Sequence, residues 1–167
     1  MNNQIAFLTS GNLYSTVAAG LISLSANKKR SKIVNPELQN LTPIFVDHGQ
    51  PDVNERWLAA TKQSIAYGLQ FPRLINTNST PLNETTLISF LLNQCLMQNY
   101  TEIFINIPTY VTPYPEYTAS FLKKFSKQNN CIVKSPLHIF HSEHTLLEFI
   151  ESSSLNSKTL AYNPKGN

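Results

Sequence analysis

The sequence predicts an α/β domain, a five-stranded, mostly parallel sheet flanked by helices. Three observations predict it. Short apolar, β-rich runs alternate with segments of helical period along the chain, the pattern of parallel strands joined by crossover helices. The segments after those runs are rich in Gly, Pro, Asn, Ser and Thr, as supporting loops are. With 167 residues, 41% hydrophobic and 14% charged, residues 1–167 make one domain with a sizeable core and fall short of two.

Five strands are expected: Ile5–Leu8, Pro43–Asp47, Arg73–Asn76, Glu102–Asn106 and Cys131–Lys134. After the first comes Ser10-Gly11-Asn12-Leu13-Tyr14-Ser15-Thr16, then an apolar-periodic helix. The stretch from Ala26 to Leu41 is polar, basic and without period, and reads as a long crossover loop of the mobile kind. A second helix carries Trp57, Leu58, Thr61 and Ile65 on one stripe and stops at Gly68. Leu87, Ile88, Leu91, Leu92 and Cys95 give the third helix a buried side. The fourth turns Tyr117, Phe121 and Phe125 inward and Lys123, Lys124 and Lys127 to water. Ser142 caps a last helix with Leu146, Leu147 and Ile150 inside.

Composition narrows the function classes. The net charge of +3 is too small for a nucleic-acid footprint, and the local cluster Lys28-Lys29-Arg30 with Lys32 reads as a solvated connector. No run approaches the ~18 apolar residues that span a bilayer, and no signal core follows the N-terminus, so a cytoplasmic location is expected. Cys95 and Cys131 lie inside apolar patterns and read as core thiols.

In an open parallel sheet, ligands bind beyond the carboxyl ends of the strands. Those ends hold Ser10–Thr16, Asp47-His48-Gly49-Gln50, residues 76–81 and residues 107–114. A strand delivering serines and glycine to a helix N-terminus makes an anion site, because the first N–H groups are unpaired and the macrodipole is positive there. The same loop also reads as a tight strand-to-helix turn capped by Ser10 or Asn12. His138, His141 and His144 recur at steps of three beside Glu143 and Glu148, a metal-ligand spacing unless a helix start turns them apart. His48 beside Asp47 has acid–base potential. Tyr110, Tyr114 and Tyr117 read either as a stacking surface for a base or as packing in a Pro-rich loop.

In this order the segments resemble the 7-cyano-7-deazaguanine synthases of queuosine biosynthesis, members of the pyrophosphate-loop ATP pyrophosphatase superfamily. Ser10–Thr16 is similar to the family's Ser-Gly-Gly-x-Asp-Ser-Thr, with Asn12 at the second glycine and Tyr14 at the aspartate. Phe45-Val46-Asp47-His48-Gly49-Gln50 resembles the Asp-Tyr-Gly-Gln strand end. Thr80-Pro81-Leu82-Asn83-Glu84-Thr85 looks like Val-Pro-x-Arg-Asn-Thr, with Asn83 at the arginine. Pro113-Tyr114-Pro115-Glu116-Tyr117 is similar to Gly-Tyr-Pro-Asp-Cys of the substrate pocket. Ser135-Pro136-Leu137 and Ser142 resemble Thr-Pro-Leu and Ser-Lys-x-Glu-Ile, with Glu143 at the lysine. Thr159-Leu160-Ala161-Tyr162-Asn163 looks like Thr-Trp-Ser-Cys-Tyr-Asn without its cysteine, and no counterpart of the family's zinc-binding cysteine cluster follows.

The resemblance implies an adenine-nucleotide alpha-hydrolase-like, three-layer fold. It implies ATP and magnesium as cofactors, with no zinc in this chain. It assigns Ser10, Gly11, Asn12, Tyr14, Ser15 and Thr16 to the phosphate loop, and Asp47, Gly49, Gln50, Asn83, Tyr114 and Glu116 to a nucleotide or 7-deazaguanine pocket. The family adenylates a carboxylate with ATP, forms an amide and dehydrates it to a nitrile. Tyr14, Asn83 and Glu143 remove an acid and two cations from that machinery, and a charge-assisted contact contributes about 1.5–3 kcal/mol. Three readings follow: an impaired homologue that binds a nucleotide or purine-like ligand, an active adenylating enzyme with a rebuilt loop, or an interaction subunit, homodimeric or with a protein partner. The Tyr14 ring separates them, since beside the Ser15 and Thr16 N–H groups it would exclude pyrophosphate.

Overall fold

The computed structural model describes residues 4–28, 40–77, 84–108, 110 and 119–164. In chain order the elements are β1 (Ile5–Leu8), α1 (Leu13–Lys28), β2 (Leu41–Asp47), α2 (Val53–Ala66), β3 (Arg73–Asn76), α3 (Glu84–Met97), β4 (Glu102–Phe104), α4 (Ala119–Asn129), β5 (Ile132–Lys134), a 3₁₀ turn (Pro136–Ile139), α5 (Glu143–Ser152) and α6 (Ser157–Leu160). The five strands form one sheet in the order β3-β2-β1-β4-β5. Every pairing is parallel, so the sheet is wholly rather than mostly parallel.

Alternation along the strands divides the core into two apolar layers. Ala6, Leu8, Ile44, Val46, Ile103 and Val133 meet Leu91, Leu92, Cys95 and Leu122 on the side covered by α3 and α4. Phe7 and Leu41 meet Val17, Ala18, Ile22, Leu137, Leu146 and Ile150 on the side of α1, the 3₁₀ turn and α5. The result is the three-layer α/β sandwich that the sequence predicted.

Several boundaries differ from expectation for physical reasons. β2 begins at Leu41, two residues before Pro43, although proline cannot donate to a ladder. Ile44 opposes Arg73 at the start of β3, while Pro43 pairs with Phe7 of β1. Thr9 N–H donates to the Ile44 carbonyl and Thr77 N–H to the Asp47 carbonyl, so alternation turns the missing N–H of Pro43 toward β3, ahead of that strand's first residue. α1 runs to Lys28, so the crossover segment starts as helix; residues 29–39 lie outside the described residues, and with them the mobility expected there. β4 stops at Phe104, and Ile105 N–H makes one more bond, to the Lys134 carbonyl.

The face of α2 is a correction. Leu58 and Ile65 are 52% and 71% exposed, while Ala59, Ala60, Gln63 and Ser64 are buried. Small residues let the helix lie close to the loop after β1, and the larger apolar ones are left outside. Leu147 is likewise 40% exposed, against buried Leu146 and Ile150. Phe121 and Phe125 pack on the core, and Lys123, Lys124 and Lys127 face water. Tyr117 and the Ile88 side chain lie outside the described residues.

Candidate functional site

Strand order places a topological switch between β1 and β4, whose connections leave to opposite sides. The loop Ser10–Thr16 follows β1 there, and Asn106 follows β4. The chain returns to the right-handed region through Leu13 only after Gly11 has taken φ 74°. A Cβ on Gly11 would stand 2.2 Å from the Arg56 carbonyl oxygen, so both its conformation and its neighbour require glycine. The Gly11 carbonyl accepts from Gln63 Nε2 at 3.0 Å and from Tyr162 N–H at 2.8 Å. Gln63, 2% exposed, also holds the Leu160 carbonyl at 3.2 Å.

The helix start is satisfied from within. Asn12 Oδ1 accepts from Ser15 N–H at 2.8 Å, an N-cap bond. The Asn12 carbonyl takes Thr16 N–H at 3.0 Å and Thr16 Oγ1–H at 2.7 Å. Ser15 Oγ accepts from Ser10 N–H at 2.9 Å, meets Ser10 Oγ at 3.0 Å, and accepts from Asn106 Nδ2. Two accepted bonds and one shared proton are all that a hydroxyl can make. Ser15 and Thr16 are both fully buried.

Tyr14 turns its ring into the apolar layer that contains Leu137, Phe140 and Leu146, together with Tyr110. Burial first, then the neighbouring Tyr14 and Glu143, push the Tyr110 hydroxyl up to about 12. Tyr14 and Glu143, two of the positions that depart from the resembled motifs, therefore converge on Tyr110 beside the loop.

The loop after β2 folds on itself. Asp47 Oδ1 accepts from Gly49 N–H at 3.1 Å, with Gly49 at φ 80°. Gln50 takes His48 N–H on Oε1 and donates Nε2 to the Val46 carbonyl, each at 2.8 Å. The polar groups of Asp47, Gly49 and Gln50 thus shape their own turn. Desolvation lowers the His48 pKa, with Asp47 opposing and Arg56 adding to the effect.

The three histidines separate. The His138 pKa is lowered, by burial first, against a bond to the Ile107 backbone; its Nε2 is buried without a partner. His144 pairs with Glu148 at 3.1 Å on the exposed side of α5, and Ser142 starts that helix with a capping box to Thr145. Among the described residues no three His, Cys, Asp or Glu side chains converge on one point. Cys95 and Cys131 are free and buried, and burial pushes the Cys95 thiol up to about 12, so both are inert core thiols. Asn83, Tyr114 and Glu116 lie outside the described residues.

Magnesium triphosphate fits this loop poorly. Ser15 Oγ is saturated by the chain itself, Tyr14 offers a phenol where a cation needs a carboxylate, and Glu143 brings negative charge to the same end of the sheet. Asn106 went unnoticed in the sequence as a site residue. The available signal was one amide within the apolar run Ile103-Phe104-Ile105-Asn106-Ile107.

No protein-family model matches the chain, and no curated protein matches it. Among solved structures it is similar to the U34-tRNA thiolase NcsA from Methanococcus maripaludis with its 4Fe–4S cluster, with a TM-score of 0.60 and 16% identity over 99% of this chain. The chain spans 60% of that thiolase's length. It is also similar to a predicted subunit of tRNA methyltransferase from Methanocaldococcus jannaschii, with a TM-score of 0.53 and 15% identity, covering 89% of this chain and 75% of the other. At these identities the likeness is one of fold. No helix among the described residues is long and apolar enough to cross a membrane.

Proposed function

We propose that this chain is a divergent relative of the 7-cyano-7-deazaguanine synthases that binds a nucleotide or purine-like ligand at the switch-point crevice without cleaving ATP. One observation carries the reading. The groups that a pyrophosphate would need, Ser15 Oγ, Ser15 N–H and the Ser10 hydroxyl, are engaged by Ser10, Asn12 and Asn106. Adenylation requires three phosphates and a metal to be held while charge develops at the α-phosphorus. A loop saturated by its own side chains must break these bonds first, whereas a nucleoside, base or single phosphate asks less of it. The shared fold with two proteins whose names refer to tRNA modification supports a ligand of nucleotide type.

Calorimetric titration with ATP, AMP and a 7-deazaguanine, each with and without magnesium, tests the proposal. Binding of AMP or the base, insensitive to magnesium and at least as tight as ATP binding, is expected. No AMP should form from ATP and 7-carboxy-7-deazaguanine. Formation of AMP and nitrile product, lost in Ser10→Ala and Ser15→Ala, would establish an active synthase instead. A cytoplasmic location is part of the same proposal.

A further inference from the structure

Where α6 packs on α1 and α2, two polar side chains are buried with an unmet atom each. Gln63 of α2 and Ser157 of α6 are 2% and 1% exposed, and among the described residues Gln63 Oε1 and Ser157 Oγ have no hydrogen-bond partner. Interior polar atoms are seldom left so, because nothing then offsets their loss of hydration. Turning the amide over does not help. Both Nε2 hydrogens are used, on the Gly11 carbonyl at 3.0 Å and the Leu160 carbonyl at 3.2 Å, and the opposite orientation sets Oε1 against two carbonyl oxygens. Oε1 therefore requires a donor from elsewhere.

The neighbouring bonds bring Ser157 to the same place. Gln63 and Tyr67, which ends α2, stand one turn apart, about 6 Å along the helix. Gln63 reaches the Leu160 carbonyl, and Tyr67 Oη donates to the Leu155 carbonyl at 2.7 Å. Ser157 lies between these two attachments in the chain. Burial raises the Tyr67 pKa, and the Ser157 side chain, close to the Tyr67 hydroxyl but outside good bonding geometry, opposes that rise. The Ser157 carbonyl already accepts from Ala161 N–H at 3.0 Å, so the hydroxyl is the group left over.

We propose that one buried water is bound between these two rungs, donating to Gln63 Oε1 and accepting from the Ser157 hydroxyl. Its second hydrogen goes to the Tyr67 oxygen, whose own hydrogen is on Leu155, and the water then makes the three bonds that interior waters commonly make. The partners select the ligand. Gln63 Oε1 has to receive a hydrogen, which an anion does not supply. A metal ion would find no group of three His, Cys, Asp or Glu side chains among the described residues. The water gives Gln63 a positioning role at both ends of its amide: Nε2 holds the Gly11 loop, and Oε1, held in turn by the water, fixes the plane of that amide.

The test joins a crystal structure of the full chain with the stability of Ser157→Ala. At a resolution of about 1.2 Å or better, density for one water is expected at about 2.7–3.2 Å from both Gln63 Oε1 and Ser157 Oγ. Ser157→Ala takes a bond from that water, so the folding equilibrium constant should fall about fivefold, although alanine is the better helix former. A dry, unmet hydroxyl predicts the opposite sign, because its removal relieves the buried oxygen and favours the helix. Density that shows no water there, or that sets Ser157 Oγ directly on Gln63 or Tyr67, overturns the proposal. So does a Ser157→Ala variant as stable as the wild type or more so.

Discussion

Gly11 sits where a left-handed backbone, the Arg56 carbonyl and two hydrogen-bond donors meet. Gly11→Ala must strain the backbone and push α2 away, so a loss of roughly 2–4 kcal/mol is expected. Denaturant unfolding followed through the single tryptophan, Trp57, reads it directly; an unchanged midpoint would mean that the turn adapts. Asn106→Ala removes one donor from the buried Ser15 Oγ and leaves that acceptor unfilled. A loss of about 1–3 kcal/mol is expected, read as a lower unfolding midpoint; an unchanged midpoint would mean that the loop closes over the gap. The histidines set a pH dependence. Burial holds His48 and His138 below their ordinary 6.5, so the unfolded chain takes up these protons first. The stability they confer is complete above 6.5 and is lost as pH falls through the folded values. Melting temperature should drop below pH 6.5, with a shallower slope in the His48→Gln, His138→Gln double variant.

At the scale of elements, the last helix shows how local chemistry and packing divide the work. Ser142 accepts from Thr145 N–H at 3.2 Å, and Thr145 Oγ1 accepts from Ser142 N–H at 3.3 Å. Ser142→Ala should cost about 1 kcal/mol, visible as a shift in unfolding midpoint with unchanged slope. Such caps are legible in sequence because donor and acceptor are three residues apart. The same holds for the strand Ile5–Leu8 and the buried stripe of α3, where hydrophobicity and neighbours agree. The face of α2 was not legible. Its buried residues are Ala59, Ala60, Gln63 and Ser64, chosen by the closeness of Gly11 rather than by hydrophobicity, and periodicity points to Leu58 and Ile65 instead. Asn106 was obscured for a related reason. Its partner Ser15 is 91 residues away, and no local pattern marks a side chain whose role depends on strand order.

The whole molecule is tied together across the sheet by its last described segment. Leu155 packs over Gly20, where an added Cβ would stand 2.7 Å from its side chain. Tyr67 Oη donates to the Leu155 carbonyl at 2.7 Å. Tyr162 donates its N–H to Gly11 and its hydroxyl to Asp52, with the Arg56 guanidinium 4.6 Å above its ring. Removing residues 156–167 should therefore speed hydrogen exchange at Gly11–Thr16 while the centre of the sheet stays protected. Equal protection with and without the segment would show that the loop stands alone.

The double claim on the Gly11 carbonyl also bears on how the molecule is made. β1 is the middle strand and is synthesised first, but its β4 neighbour, the Asn106 amide and the Tyr162 N–H are translated much later. A nascent chain can form α1 and pair β1 with β2 while the loop between them still has an unfilled acceptor on Ser15 Oγ and an incompletely satisfied Gly11 carbonyl. Until Tyr162 emerges, those acceptors wait for their partners, so the loop is completed by the last-made part of the described chain.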